Sequence, residues 1–363
     1  MAVVSKQSFL KAEQQLKKVI GTLPIPLFHS ASVSTELYHV SIKPELLQPI
    51  RSFKMRGAAN ALFSTTCTSP IVTASAGNMG QALAFLCAHH KPKPIDFYCL
   101  VPPNTSSSKT SKIKALGGVI ISLSQEEWWQ VIVSSQPNKY LPTCVDSNFT
   151  FVHPVMSENV MIGNGSIALE VERQLRLTTH HVVVLCPFGG GGLSCGISRA
   201  FQACSNYPTY RHVIGVEIEG RAPLAEAFRY GVPTPIEDDQ YLEKSWIDGI
   251  GSKCVLDGMW PEIKKNISGS IVVPPSSVAH SLKALMTTHC LVAEGAGAAA
   301  YCAATWLAKQ PSLFNASQKI HIVAVISGGS IALDLLQSII GEKNQLEFEK
   351  IQFIKNKSKT TTN

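Results

Sequence analysis

Short runs of β-branched and aromatic residues punctuate the chain: Ile71–Ala74, Asp96–Val101, Gly118–Ile121, Val182–Cys186, Val213–Ile218, Ile271–Val273 and Ile322–Ile326. Helix-length segments fall among them, at Gln81–Ala88, Ser106–Leu116, Gly165–Leu175, Leu193–Cys204, Ser276–Thr287 and Ala296–Lys309. Ahead of them, Phe9–Ile20 is amphipathic, with Leu10, Leu16 and Ile20 on one side, and Pro24 and Pro26 stop it. Continuous apolar strands separated by helices predict an α/β fold, with mainly parallel sheet covered on both faces. No internal repeat is visible.

Composition narrows this without changing it. With 363 residues, 45% hydrophobic and 16% charged, the chain is long enough for two domains and too apolar for disorder. A net charge of +7 raises the question of a nucleic-acid partner. Four of the positive charges lie within Lys350–Lys359, so the excess is read as a solvated, frayed C-terminal tail and no nucleic acid is expected. Ten cysteines are scattered with no C-x-x-C pair, mostly in apolar runs, which predicts reduced, buried thiols and no metal site. No signal-peptide core and no membrane-length apolar stretch is found, so a cytoplasmic protein with no membrane partner is expected.

Ligands of open α/β sheets gather where strands turn into helices, and three such turns are unusual. Thr73–Gln81 contains Ser75, Ala76, Gly77 and Asn78, small residues at a helix start whose N–H groups can hold a carboxylate. The Asn78 side chain can bond a phenolic oxygen. Cys186–Leu193 contains Gly189, Gly190, Gly191 and Gly192 between a strand and a helix. Four glycines cost too much chain entropy for a plain linker, and they let several N–H groups converge on a phosphate. No lysine or downstream acid makes this a nucleotide motif, so a phosphate-bearing cofactor without a sugar fits better. Val325–Ser330 places Ser327 where a hydroxyl can meet the nitrogen of a bound heterocycle. A fourth stretch, Ser52-Phe53-Lys54-Met55-Arg56-Gly57, puts a lysine beside an aromatic ring at the start of an apolar helical run. Lost hydration and the positive end of the helix dipole both favour its neutral amine, which can attack an aldehyde.

Taken with their order, these stretches resemble the threonine/serine dehydratases of the fold-type-II pyridoxal-phosphate enzymes, over roughly residues 20 to 335. Lys43-Pro44-Glu45, Gly163–Glu170, Gly215-Val216-Glu217, Asp248-Gly249-Ile250 and Glu294–Ala299 extend the likeness. The resemblance implies two lobes with the cofactor pyridoxal 5'-phosphate between them. Lys54 then matches the Schiff-base lysine, with Phe53 beside it, and Asn78 the contact to the phenolic oxygen. Gly189–Gly192 and Leu193 match the phosphate loop, and Ser327 the partner of the ring nitrogen. The amides of Ser75, Ala76 and Gly77, with Asn78, match the seat of the substrate carboxylate. The implied activity is β-elimination from L-threonine or L-serine, giving a 2-oxo acid and ammonia, in a homodimer.

The departures are specific. Ala76 stands where the racemases carry a second, proton-donating serine, so racemisation is disfavoured. Arg221 and Pro223 follow Glu217 where relatives with a divalent cation carry an acid, so no metal is expected. The usual His-Pro-Phe-Asp-Asp reads His153-Pro154-Val155-Met156-Ser157, and the usual Thr-Gly before Ser-Phe-Lys reads Ile50-Arg51. Arg51 is read as solvated, with contact to a substrate carboxylate as the alternative. These changes keep open a second substrate class, another β-hydroxy amino acid such as 3-hydroxyaspartate or an ectoine-pathway intermediate, and a non-catalytic cofactor binder. Asp248 is expected to be structural and Trp128-Trp129 to be packing. The expected division is a large lobe of residues 1–74 and 154–340, a small inserted lobe of 75–153, and a basic tail of 341–363 without a regulatory domain.

Overall fold

The apolar runs become the inner strands of two sheets. The computed structural model describes every residue except 1–3, 22–23, 65–68, 76, 106, 144, 146–147, 176–180, 207, 238–244, 311–312, 314–318, 343–345 and 360–363. The strands are β1 (Phe28–His29), β2 (Tyr38–Lys43), β3 (Ile71–Thr73), β4 (Phe97–Val101), β5 (Val119–Ser122), β6 (Thr150–Phe151), β7 (His181–Pro187), β8 (Arg211–Ile218), β9 (Gly269–Val273), β10 (Ile320–Val325) and β11 (Gln352–Lys355). Helices α1 (Lys6–Ile20), α2 (Lys54–Phe63), α3 (Asn78–Ala88), α4 (Ser107–Ala115), α5 (Gln125–Ser134), α6 (Glu158–Leu175) and α7 (Gly192–Cys204) cover the first part. Then come α8 (Pro223–Tyr230), α9 (Trp260–Asn266), α10 (Pro275–His289), α11 (Gly295–Leu307) and α12 (Leu333–Gly341).

One sheet has seven strands in the order β1-β2-β10-β7-β8-β9-β11; the other has four, β5-β4-β3-β6. Every pair is parallel except the two edge pairs of the larger sheet, β1 with β2 and β11 with β9. Both faces of the larger sheet are buried, as its strands lack polar alternation: Val183 and Leu185 enter one core, Val182, Val184 and Cys186 the other. The chain is therefore α/β with mainly parallel open sheets, the fold type II arrangement expected.

Two boundaries need correction. Strand β3 pairs with β4 and β6, so Ile71–Thr73 belongs to the small sheet and not, as a division at residue 74 assumed, to the large one. The basic tail is not simply frayed either. Gln352–Lys355 adds an antiparallel edge to β9, and Asn356 donates to the carbonyls of Lys264 and Ile267 at 2.8 and 2.7 Å. Ile351, just ahead of the strand, is buried, and Phe353 and Ile354 within it are half-buried against the core, which gives the segment an apolar anchor that its charge alone did not suggest.

The start of α2 is fixed by burial of charge. Arg56 donates Nε to Glu45 at 2.7 Å and its terminal nitrogens to Glu45, to Glu170 and to the Ser166 hydroxyl at 2.8–2.9 Å. Lys43 reaches the same Glu170 and the Ile25 carbonyl. Two cations and two carboxylates thus satisfy one another in the interior, the condition under which buried charge is tolerated. Helix α6 lies between α2 and α7 at backbone contact. A β-carbon on Gly163 would stand 2.3 Å from the Arg56 carbonyl oxygen, and one on Gly196 2.3 Å from that of Met161. Through this close stack α6 sets the separation of two helix N-termini, at Lys54 and at Gly192.

Candidate active site

The carboxyl ends of both sheets face one cleft of about 670 Å³. Phe53, Lys54, Ser75, Gly77, Asn78, Gly189, Gly190, Gly191, Gly192, Leu193 and Ser327 all line it. Ala76 lies outside the described residues. Four stretches far apart in sequence are thereby brought together.

Backbone bonds tie the lysine to the turn after β10. The Phe53 N–H donates to the Ser327 carbonyl at 3.0 Å, the Gly329 N–H to the Arg51 carbonyl at 2.9 Å, and Ser52 bridges Gly328. Lys54 is the first residue of α2, with no side-chain cap ahead of it. Its Nζ lies 5.1 Å from the Phe53 ring centroid and donates to the Pro154 carbonyl at 3.4 Å. Burial pulls its pKa down from 10.5 to about 8, against the opposing pull of the Glu294 carboxylate. A minority of the amine, far larger than for an ordinary lysine, is therefore neutral near physiological pH.

Glu294 precedes α11 and is buried among polar neighbours. Asn78 Nδ2, at the first residue of α3, donates to its two oxygens at 3.0 and 3.3 Å, and the Ser330 N–H donates at 3.3 Å. Burial, helped by the Asp248 charge, raises its pKa to about 7 despite those donors. A side chain at Gly328 would collide with this carboxylate at 2.3 Å. Lys109 of α4 forms an ion pair with Asp248 across the mouth of the cleft, and Lys112 donates to the Ser330 hydroxyl at 3.0 Å.

The glycine turn admits nothing larger. A β-carbon on Gly190 would sit 2.5 Å from both methyls of Val155, and Gly191 has φ +90°, a left-handed conformation that side chains avoid. The first turn of α7 has no side-chain cap, so its N–H groups are left for a ligand. A partly neutral amine, cleft-lining glycines packed too closely against Val155 and Gly249 for side chains, and uncapped helix amides in one cleft match the donor set that pyridoxal phosphate requires. The residues present fit the group.

Comparison with known proteins agrees. The profile of the pyridoxal-phosphate dependent enzyme family matches residues 20–328, and the chain belongs to that family. The biosynthetic L-threonine dehydratase IlvA of Bacillus subtilis (strain 168) is 28% identical over 355 residues, covering 97% of this chain and 78% of that protein. The catabolic L-threonine dehydratase TdcB of Staphylococcus aureus (strain USA300) is 27% identical over 350 residues, covering 93% and 92%. Among solved structures, maize serine racemase superposes with a TM-score of 0.77 at 24% identity, over 93% of this chain and 97% of that one. The chain is thus a pyridoxal-phosphate-dependent enzyme of fold type II.

Several cleft residues escaped sequence reasoning. Asp248, read as structural, lines the cleft and holds Lys109; Trp128 and Trp129 line it while also packing on the core. Arg221 reaches the cleft from just beyond β8, the end of a strand, where position alone was a usable signal. Its Nε is buried with no hydrogen-bond partner among the described residues. Arg51, by contrast, is exposed and does not line the cleft, in accord with the solvated reading. Among the described residues no helix is long and apolar enough to cross a membrane.

Proposed function

We propose that the protein is an ammonia-lyase that converts L-serine or L-threonine to a 2-oxo acid and ammonia. The observation that carries this reading is the depressed Lys54 amine on the same cleft as the glycine turn. When bound, pyridoxal phosphate supplies an aldehyde for the substrate amino group and a conjugated ring that takes up electrons as the α-proton leaves. The chain would supply the rest. Lys54 Nζ, whose lowered pKa makes the neutral amine far more accessible than in an ordinary lysine, would hold the aldehyde at rest and accept the α-proton during turnover. The amides of Gly192 and Leu193 seat the phosphate, and Ser327 meets the ring nitrogen as a neutral partner. Asn78, Ser75 and Gly77 orient the substrate carboxylate, while Trp128 and Trp129 keep water from that wall. The threonine dehydratase relatives support elimination as the outcome. The sequence has alanine at position 76, which cannot donate a proton to the opposite face, and this favours elimination over racemisation.

A second reading, elimination from a β-hydroxy amino acid with an acidic side chain, is favoured by the two cations Lys109 and Arg221 on the cleft, with Asp248 between them in charge. Incubation with L-serine, L-threonine and the 3-hydroxyaspartates, with 2-oxo acid and ammonia measured, separates the two. Release from serine or threonine supports the first reading and release from hydroxyaspartate alone the second. A protein that takes up the cofactor yet releases no 2-oxo acid from any of them overturns both. A homodimer in the cytoplasm belongs to the same proposal and is checked by sedimentation and by fractionation.

A further inference from the structure

His153 lies next to the site but was not among its expected members. Its Nε2 is 2.8 Å from the Ile132 carbonyl oxygen of α5, and a carbonyl only accepts, so Nε2 carries the proton. Nδ1 is then a bare lone pair, and it accepts two backbone N–H groups, from Val155 at 3.0 Å and Met156 at 2.8 Å. The ring is buried, at 5% exposure, so none of these bonds is readily replaced by water. Burial holds its pKa below the ordinary value; the Ile132 carbonyl opposes that and the nearby Lys54 charge adds to it. The turn held by the ring touches both halves of the chemistry. Its Pro154 carbonyl accepts from Lys54 Nζ, while the Val155 side chain and carbonyl pack over Gly190 and Gly192.

We propose that His153 is a positioning residue: one imidazole, donor on one edge and double acceptor on the other, sets the 154–156 turn against the Lys54 amine and the glycine turn. The inference rests on the reading that these two elements hold the cofactor. An imidazolium cannot accept, nor can an aliphatic side chain, and either would leave two buried N–H groups unpaired and free the turn to shift. Because Lys54 Nζ has its hydrogen-bond contact with this turn, the shift would be felt as altered solvation of the amine.

The test compares His153→Asn, His153→Gln and His153→Leu in the full chain. The asparagine oxygen falls near the place of Nδ1 and keeps an acceptor for the turn. The glutamine amide reaches the place of Nε2 and keeps only the bond to Ile132. Two readings are taken: the dissociation constant of pyridoxal phosphate by absorbance titration, and the pH midpoint for acylation of Lys54 in the cofactor-free protein by mass spectrometry. Expected is cofactor affinity within about threefold of the parent for Asn, and a loss on the order of tenfold for Gln and Leu, the cost of unpaired buried N–H groups. The Lys54 midpoint should move in Gln and Leu and stay in Asn. A purely packing role predicts the reverse order, since glutamine is nearer to histidine in volume. Gln matching or surpassing Asn in both readings overturns the proposal. Should His153→Leu fail to fold, the Asn and Gln pair decides. Should the parent chain take up no pyridoxal phosphate, the cofactor reading fails by itself. The acylation midpoints then decide the role of His153, with unchanged midpoints in Gln counting against it.

Discussion

Two cations on one helix turn, Lys54 and Arg56, meet opposite treatment. Arg56 is buried against Glu45 and Glu170, and although burial alone works against its charge, the two carboxylates more than offset that and raise its pKa. Lys54, two residues earlier, makes no ion pair within 4 Å among the described residues, and burial lowers its pKa to about 8. The carboxylate that acts on it, Glu294, is itself pushed to about 7 and is occupied by Asn78. The same helix start thus carries one charge that holds the fold and one amine made available for chemistry. Full pairing makes a cation inert; withheld pairing makes it reactive.

Removing each cation should break this contrast in different places. Lys54→Ala should lower 2-oxo acid release by on the order of a thousandfold or more, with the cofactor absorbance band lost and the fold kept. An unchanged band would mean another amine holds the aldehyde. Arg56→Met strands Glu45 and Glu170 without a guanidinium, and urea denaturation should report a loss of about 3–5 kcal/mol. A loss under about 1 kcal/mol would show that the carboxylates find other partners.

The pH dependence sharpens the comparison. Folded Lys54 titrates near 8 and the unfolded lysine near about 10.4, so between those values the unfolded chain binds more protons. Stability contributed at this site therefore rises with pH through that window, and the penalty for burying the ammonium is fully present below 8. Lys54→Met should raise thermal stability at pH 7, and the gain should shrink toward pH 10; a gain independent of pH would contradict the assigned cause. Glu294→Gln removes the carboxylate that favours the ammonium, so the acylation midpoint of Lys54 should fall below that of the parent. A rise would show that Glu294 acts through Asn78 and not through its charge. The smallest effect is expected at Arg51, which has φ +57° where the resemblance places a glycine. Arg51→Gly should stabilise by about 1 kcal/mol through release of left-handed strain, with activity unaltered if the side chain is solvated.

Much of this architecture is written in local sequence pattern. The strands at Val182–Cys186 and Val213–Ile218 were legible because continuous β-branched runs leave few alternatives, and the glycine turn because four glycines have few other uses. Strand β2 was not, since Tyr38–Lys43 mixes polar residues and ends in a lysine that is fully buried. Only the Glu170 carboxylate and the Ile25 carbonyl, from distant parts of the chain, make that burial tolerable. Helix α6 begins at Glu158, seven residues before the expected Gly165, because its glycines weaken local propensity while serving close packing against α2 and α7.

Sequence alone determined the layered α/β architecture, the family, and the identity of the amine and the glycine turn, because those depend on local patterns and short-range steric needs. Tertiary structure decided which charges face which. It sent Arg51 outward and Arg221, Lys109 and Asp248 toward the cleft, left Lys54 unpaired beside a paired Arg56, and gave His153 its three partners. Electrostatic environment is a property of neighbours in space, and residues a hundred positions apart in the chain, such as Lys54 and Pro154, become neighbours only through the fold.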